Sequence, residues 1–250
     1  MARTFREYFA IFPWDSLAAD AVGFDAGCGS GRWAALVGPR VGHLHCVDAS
    51  VDALQVAQEN LRNLHNVSFH AARLDAMPLA DASMDFGYCL GVLHHLPDPD
   101  AGLAACVTKL KPGAPMLIYI YYAFDNRPAW FRLLWRVTDL LRNALSRAPF
   151  WLKSAIAELV AVLVYWPLAR AAGLGERLDL SVANWPLSAY RWRSFYSMRN
   201  DALDRFGTRI EQRMTKARIR ELMERAGLGE IRFSDCAQFW CAVGRRKSDR

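Results

Sequence analysis

The chain is poor in the features that mark several protein classes. Its six cysteines, Cys28, Cys46, Cys89, Cys106, Cys236 and Cys241, include no CxxC pair, and the nearest two are five residues apart. That spacing fits neither a disulfide framework nor a zinc site. Reduced cysteines inside apolar runs act as small core residues, so a reducing, cytoplasmic compartment is expected. No cluster of Asp, Glu and His has ligand spacing, and no metal is expected. The N-terminal MARTFREYF lacks the apolar core of a signal peptide. The longest apolar run, residues 159–169, is about eleven residues long, against the ~20 needed to span a bilayer. No spanning helix is expected, although such a run suits peripheral contact with a membrane surface. Internal repeats and low-complexity tracts are also missing.

What is present suits a packed globular chain of one domain, or one domain with a large insertion. Hydrophobic residues make up 53 % of the 250 and charged residues 22 %, enough to build a core and too apolar for disorder. The formal net charge of +6 suits a solvated basic surface or an anionic partner. The first half alternates strand-like and helix-like patterns. AVGFDAG, HLHCVDAS, NVSFHAA, MDFGYCLG and APMLIYIYY read as five strands. Ser50 caps a helix with Val51, Leu54, Ala57 and Leu61 on one face, and Asp98 with Pro99 starts another. Strands alternating with helices imply a parallel sheet with right-handed crossovers.

After Tyr122 the alternation stops. Trp130, Leu134, Val137 and Leu141 share a helical stripe, and a second apolar helix is expected over 153–166, stopping near Pro167. Thr215 then caps a helix carrying Ile219, Leu222, Met223 and Ala226 on one face. Gly227 closes it, and two final strands follow. The expected division is a core formed by residues 1–124 and 201–250, with 125–200 as a helical cap that binds substrate.

The strongest motif is VGFDAGCGSGR. A strand ends at Asp25; Gly27, Gly29 and Gly31 follow, and a helix is expected from about Arg32. Glycines let backbone approach a ligand closely, and amides at a helix N-terminus suit a negative group. Asp48, at the end of the second strand, lies seventeen residues past Gly31, where an acid accepts hydrogen bonds from ribose hydroxyls. A dinucleotide site wants GxGxxG. Here Arg32 fills the slot of its third glycine, and the pattern is DxGxGxG.

That pattern resembles motif I of the Rossmann-like methyltransferases that use S-adenosylmethionine (SAM). PLADASMDFGYCLGVLHHLPD resembles the fourth-strand segment of the group that includes the ubiquinone and menaquinone methylases. LKPGAPMLIY resembles its fifth-strand signature, and LMERAGLGEIRF its late helix and sixth strand. The likeness covers about 20–122 and 212–245. It implies a doubly wound, mostly parallel α/β sheet of seven strands, the last antiparallel, with a helical insertion after the fifth. SAM would be the cofactor and S-adenosylhomocysteine the product.

Carried over by residue, the resemblance implies that Asp25, Gly27, Gly29 and Gly31 shape the methionine end of the site, with Cys28 and Ser30 in the same loop. Asp48 would bind the ribose and Ala49 would sit beside the adenine. Leu90 and Gly91 would lie under the methionine and sulfonium. Arg73 stands where the family often has an acid, which leaves Leu74 and Asp75 as the candidates for the adenine contact.

Methyl transfer from a sulfonium needs alignment above all, with reacting atoms ~3–3.5 Å apart. A base helps only when the acceptor loses a proton, and His94, after the fourth strand, is the candidate. One of His94 and His95 is expected to pack or cap the turn instead. The N-terminal Phe5, Tyr8, Phe9, Phe12 and Trp14 either cover the SAM cleft or pack on the sheet. Arg191 and Arg193 lie among aromatics and are candidates for holding an anionic end of the acceptor. The acceptor is expected to be a small molecule or a lipid- or glycan-type compound, anionic or lipid-linked, with oxygen favoured as the methylated atom. Two other readings stand: an NAD-dependent oxidoreductase, which the missing glycine opposes, and a SAM-binding module docking on nucleic acid, which the interleaved acids oppose.

Overall fold

A computed structural model describes residues 2–123, 129–130, 133, 136, 139, 142, 145, 147–182, 185–207, 210–235 and 240–248. The expected stripe positions Leu134, Val137 and Leu141, together with Cys236, lie outside the described residues. The chain divides into two compact units. One comprises Met1–Asn126 with Gln212–Arg250, the other Arg127–Glu211.

The first unit is built on one sheet. Its strands are β1 (Val22–Ala26), β2 (His43–Asp48), β3 (Val67–Ala71), β4 (Phe86–Leu90), β5 (Pro115–Ile120), β6 (Leu228–Phe233) and β7 (Trp240–Arg246), in the order β3-β2-β1-β4-β5-β7-β6. All pairings among β1 to β5 are parallel, and β7 runs antiparallel to both β5 and β6. This is the doubly wound sheet expected, with its last strand reversed. The order switches direction beside β1, between β2 and β4, and ligands in such sheets bind outside the carboxyl ends at that switch. Asp25, Asp48 and Leu90 all lie at those ends.

Central strands buried on both faces read as continuous apolar runs; every residue of β4 is buried. Phe24 and Phe86 are fully buried, and the space each ring fills exists because Gly87 and Gly23 across the strand pair lack a Cβ. The helix α1 (Ala2–Tyr8) and the loop after it place Phe5, Phe9 and Phe12 against this core. α2 (Ala34–Val37) has four residues and starts two positions later than expected. α3 (Val51–Asn60) is capped by the Ser50 side chain, which accepts from the Ala53 amide. Leu54, Ala57 and Leu61 are buried there, but Val51, in the first turn, is 57 % exposed. α4 (Pro99–Lys109) carries Asp98 as its cap. In the helix Lys216–Arg225, Thr215 caps and Ile219, Leu222 and Met223 are fully buried.

The second unit is helical. Its main helix runs Phe150–Arg177, 28 residues, well beyond the expected stop near Pro167. A proline inside a helix lacks the N–H and collides with the carbonyl four residues back. Here the turn Ala161–Tyr165 just before it is wound as a π-helix, and such a bulge relieves the i−4 ladder where the ring enters. Ala157, Tyr165 and Ala169 pack on Met198 and Ala202 of the helix Phe195–Gly207. By length and composition Phe150–Arg177 is apolar enough to cross a membrane. Counting uninterrupted apolar residues missed this, because Lys153, Glu158 and Arg170 interrupt the run without ending the helix.

Candidate active site

The three loop glycines all have positive φ. A Cβ on Gly27 would strike Val92, so the glycine loop and the segment after β4 are packed together. Gly29 differs: its φ is +54°, yet a Cβ there would meet nothing within 4 Å. The backbone demands glycine, and the space beside it is open, as a ligand-facing position requires.

Most amides of this loop are already engaged. Those of Gly27 and Cys28 donate to the Val47 carbonyl (2.7 and 3.1 Å), and that of Gly29 donates to Asp48 Oδ2 (2.8 Å). The loop amides were expected to cradle a negative group with a helix N-terminus behind them; in the structure the amides of 27–29 brace the loop instead, and α2 has only four residues. Asp48 is therefore a strut as well as a ribose candidate. Its Oδ1 accepts from the Ser50 amide at 2.8 Å, and a carboxylate accepting two amides retains lone pairs for hydroxyls.

Asp25 is buried at the end of β1 with 1 % exposure. Burial pushes its carboxyl up to about 8. The Tyr88 hydroxyl nearby opposes this slightly, and the Asp48 charge adds to it. Neither Asp25 Oδ2 nor the Tyr88 hydroxyl completes a hydrogen bond of good geometry. A buried carboxylate without a partner is costly, and a cationic ligand at the carboxyl ends of β1 and β2 would offset that cost. Cys28 turns inward: its thiol lies against Cys46, which raises the Cys46 thiol's proton affinity together with burial, so only the Cys28 backbone belongs to the loop surface. Ser30 is exposed, and its carbonyl accepts from the Asn60 side-chain Nδ2 (2.9 Å).

Around this centre, Ala49 is exposed just after Asp48. Leu74 is buried in the turn Leu74–Ala76. Asp75 is held in solvent by both Nε and Nη2 of Arg73 (3.0 and 2.8 Å). Leu90 is buried, and Gly91, at φ +82°, donates its amide to the Tyr119 carbonyl (3.0 Å).

His94 sits in the turn Leu93–His95, fully buried, with neither ring nitrogen hydrogen-bonded. Its ring stacks on Tyr121 at 3.9 Å between centroids and lies 4.2 Å from His95. Burial, with His95 and Arg213 as positive neighbours, drives its basicity down to about 2. Tyr119 and Tyr121 share a face of the chain, and Tyr122 turns to Trp240. Tyr8 of α1 reaches the same place, 4.6 Å from Tyr119 and 5.2 Å from Trp33. Trp33 and Tyr119 were not foreseen as site residues, and Tyr8 was expected either to cover the cleft or to pack on the sheet. The signal was the aromatic spacing at 5, 8, 9 and 12, which did not say which ring meets the strand ends.

In the second unit, Arg191 is clamped by Glu176 through two bonds (2.9 and 2.7 Å), and Arg193 pairs with Asp201 at 3.2 Å. Both candidates for an anionic acceptor group are thus occupied by internal carboxylates. The open groove along Lys216, Ala217, Arg220, Glu221 and Glu224 lines a charged helix face and includes none of the loop residues.

Comparison with known proteins agrees with this geometry. Residues 24–118 match the model of a methyltransferase domain. An uncharacterized Synechococcus protein is 38 % identical over 103 residues, 39 % of this chain and 24 % of that protein, so the chain spans about a quarter of that relative's length. A ubiquinone biosynthesis O-methyltransferase of Hahella chejuensis is 27 % identical over 174 residues, 63 % of this chain and 72 % of the relative. The structure of human N-acetylserotonin methyltransferase in complex with SAM superposes with a TM-score of 0.56 at 15 % identity, over 98 % of this chain and 52 % of that one. The strand–glycine loop–acid arrangement on this sheet is the candidate SAM site. Residues 24–118 thus carry a methyltransferase domain on a Rossmann-like sheet, and the chain is similar to ubiquinone biosynthesis O-methyltransferases. It is a methyltransferase enzyme with SAM as cofactor, and the oxidoreductase reading falls away.

Proposed function

We propose that the enzyme methylates a hydroxyl oxygen on a small, ring-bearing acceptor, and that it works by alignment more than by base catalysis. The observation that carries this is the ring cluster Tyr8, Tyr119, Tyr121 and His94 beside Gly91 at the carboxyl ends of β4 and β5. Aromatic walls hold a flat acceptor with offset or edge contacts. The relatives that act in ubiquinone biosynthesis are O-methyltransferases, which supports oxygen as the acceptor atom.

Bound SAM supplies an activated methyl on a sulfonium. This chain's residues do the rest. Asp48 holds ribose hydroxyls while bracing the loop, and Gly29 keeps the backbone surface open. Asp25 supplies a negative charge near the cationic ligand. Leu90 and Gly91 floor the site, Ala49 and Leu74 border the adenine, and Asp75 contributes only if it leaves Arg73. His94 is neutral at every pH above about 2 and has two unpartnered nitrogens. A hydrogen bond from the acceptor hydroxyl to one of them requires the stacked ring to swing out of its buried position, and the neutral ring is a poor final site for the proton. The helical unit, outside the shared core, selects the acceptor, and the setting is cytoplasmic.

The test is a panel of catechols, phenols, amines and thiols assayed for methylation with labelled SAM. Turnover of hydroxyl-bearing rings, with a rate at saturating SAM that is flat from about pH 5.5 to 7.5 (roughly a unit either side of free histidine's pKa), is the expected result. Amine or thiol turnover alone, or a rate that titrates near 6.5, rules the reading out.

A further inference from the structure

The charge of this chain is not spread evenly. In residues 127–211, 13 Lys and Arg stand against seven Asp and Glu, a formal +6; the other unit's 18 and 18 cancel. The whole net charge of the protein lies in the helical unit. The same unit carries an unusual surface. Along the helix Phe150–Arg177, nine large apolar side chains are 40–72 % exposed. Leu159 and Leu163 fall on the side opposite the buried series Ala157, Ala161, Tyr165 and Ala169, and Trp151, Trp166 and Leu174 are exposed along the same helix. Isolated exposed apolar residues are ordinary, but a continuous face of them is a contact surface. Lys153, Arg170 and Arg177 lie along the same helix, and Arg170 and Arg177 are exposed.

We propose that this face is a membrane-docking surface, which lies in the plane of an anionic lipid bilayer. Three properties fix the occupant. A second copy of the chain would bring together two units that each carry a formal +6, so self-association is opposed by charge. An apolar helix with tryptophans at its exposed edge and basic residues along it suits the headgroup–acyl boundary. Anionic lipids attract each nearby Lys or Arg. The helix does not span. Its small-residue face is packed on Met198 and Ala202 of the helix Phe195–Gly207, which also carries Arg199, Asn200 and Asp201. Arg199 there is paired with Glu158, and Asp201 with Arg193 just before that helix. Entry into hydrocarbon would require breaking that packing or dragging those charges with it.

The experiment is co-sedimentation of the full chain with vesicles of phosphatidylcholine alone or mixed with phosphatidylglycerol. The protein sediments with the mixed vesicles, weakly with the neutral ones, and less as salt rises. L159D/L163D lowers the partition by at least about tenfold, while SAM affinity and melting temperature stay at wild-type values. If that variant misfolds, F150D/W151D, at two positions about 70 % exposed, carries the test with a smaller loss. The proposal is overturned if neither vesicle binds the protein, if both variants bind as wild type does, or if bound protein resists alkaline carbonate, which marks a spanning helix. It is also overturned if the variants abolish a dimer and not lipid binding.

Discussion

In the core unit Phe24, Phe86, Tyr88 and Leu117 are completely buried between sheet and helices, and its charges cancel. In the helical unit Leu163, Trp151 and Leu174 stand in the open, and every unit of the chain's net charge is found there. Both regions are rich in apolar residues, but only the core encloses them. The contrast separates two jobs. The core holds a small ligand against a rigid edge, where a single missing Cβ or unpaired carboxylate matters. The helical unit presents an extended surface, where no single residue should matter much.

The sharpest way to break that comparison is Gly29→Val. The position combines φ +54° with open space, so a branched side chain fills what the cofactor needs and strains the loop. SAM affinity should fall more than about 100-fold, about 2.7 kcal/mol, with the fold kept and vesicle binding unchanged. Normal affinity in calorimetry shows the loop to be only a turn. Next is Asp48. Its loss removes charged hydrogen bonds worth roughly 1.5–3 kcal/mol, so Asp48→Ala should weaken SAM roughly 10- to 150-fold. Asp48→Asn, which keeps one acceptor for the Gly29 or Ser50 amide, should cost less. Equal losses in the two variants show that the charge, and not the brace, is what counts.

His94→Ala should lower kcat roughly tenfold, with SAM affinity intact, because an orienting contact acts on alignment. A kcat unchanged within error leaves His94 as a packed ring. A smaller effect concerns protons. With Asp25 pushed up to about 8, it is mostly protonated at neutral pH, and a bound cation favours its charged form. SAM binding should therefore release a fraction of a proton near pH 7, and affinity should rise with pH up to about 8. Calorimetry in buffers of different ionisation enthalpy reads this directly, and Asp25→Asn should abolish it.

A separate effect is on stability without ligand. Asp25's raised pKa means its contribution is full below about 4 and is lost as pH rises through about 8. His94's lowered pKa has the opposite consequence: its contribution is full above about 6.5 and is lost as pH falls toward 2. Melting curves of Asp25→Asn should lose the alkaline-side decline, and those of His94→Gln the acid-side one.

The parts of this molecule legible in sequence are those fixed by local chemistry. Ser50, Asp98 and Thr215 cap helices through their own side chains. What was hidden depended on partners far along the chain. Asp48 looked like a ligand acid, and its second role as a strut for Gly29 is visible only when β1 and β2 are side by side. Arg191 and Arg193 looked available until Glu176 and Asp201 met them. The helix through Pro167 was misjudged because the π-turn that tolerates the ring has no sequence signature as plain as the proline itself. For the site residues, the motif named the loop and the acid, while Tyr8 and Trp33 come to the strand ends only by packing.

One small feature of the sheet bears on how such a chain changes over time. After β5 the backbone makes a parallel bridge from Tyr122 to Met214. The Met214 amide donates to the Tyr121 carbonyl and the Ala123 amide to the Met214 carbonyl, each at 2.9 Å. The chain thus departs and returns at neighbouring points of one socket. Whatever is threaded between those points can be lengthened, shortened or exchanged without re-registering a strand, since closing a longer loop adds only slowly to its entropy cost. Inheritance can treat the intervening residues as a cartridge, so relatives sharing the glycine loop are free to differ wholly in what they carry there.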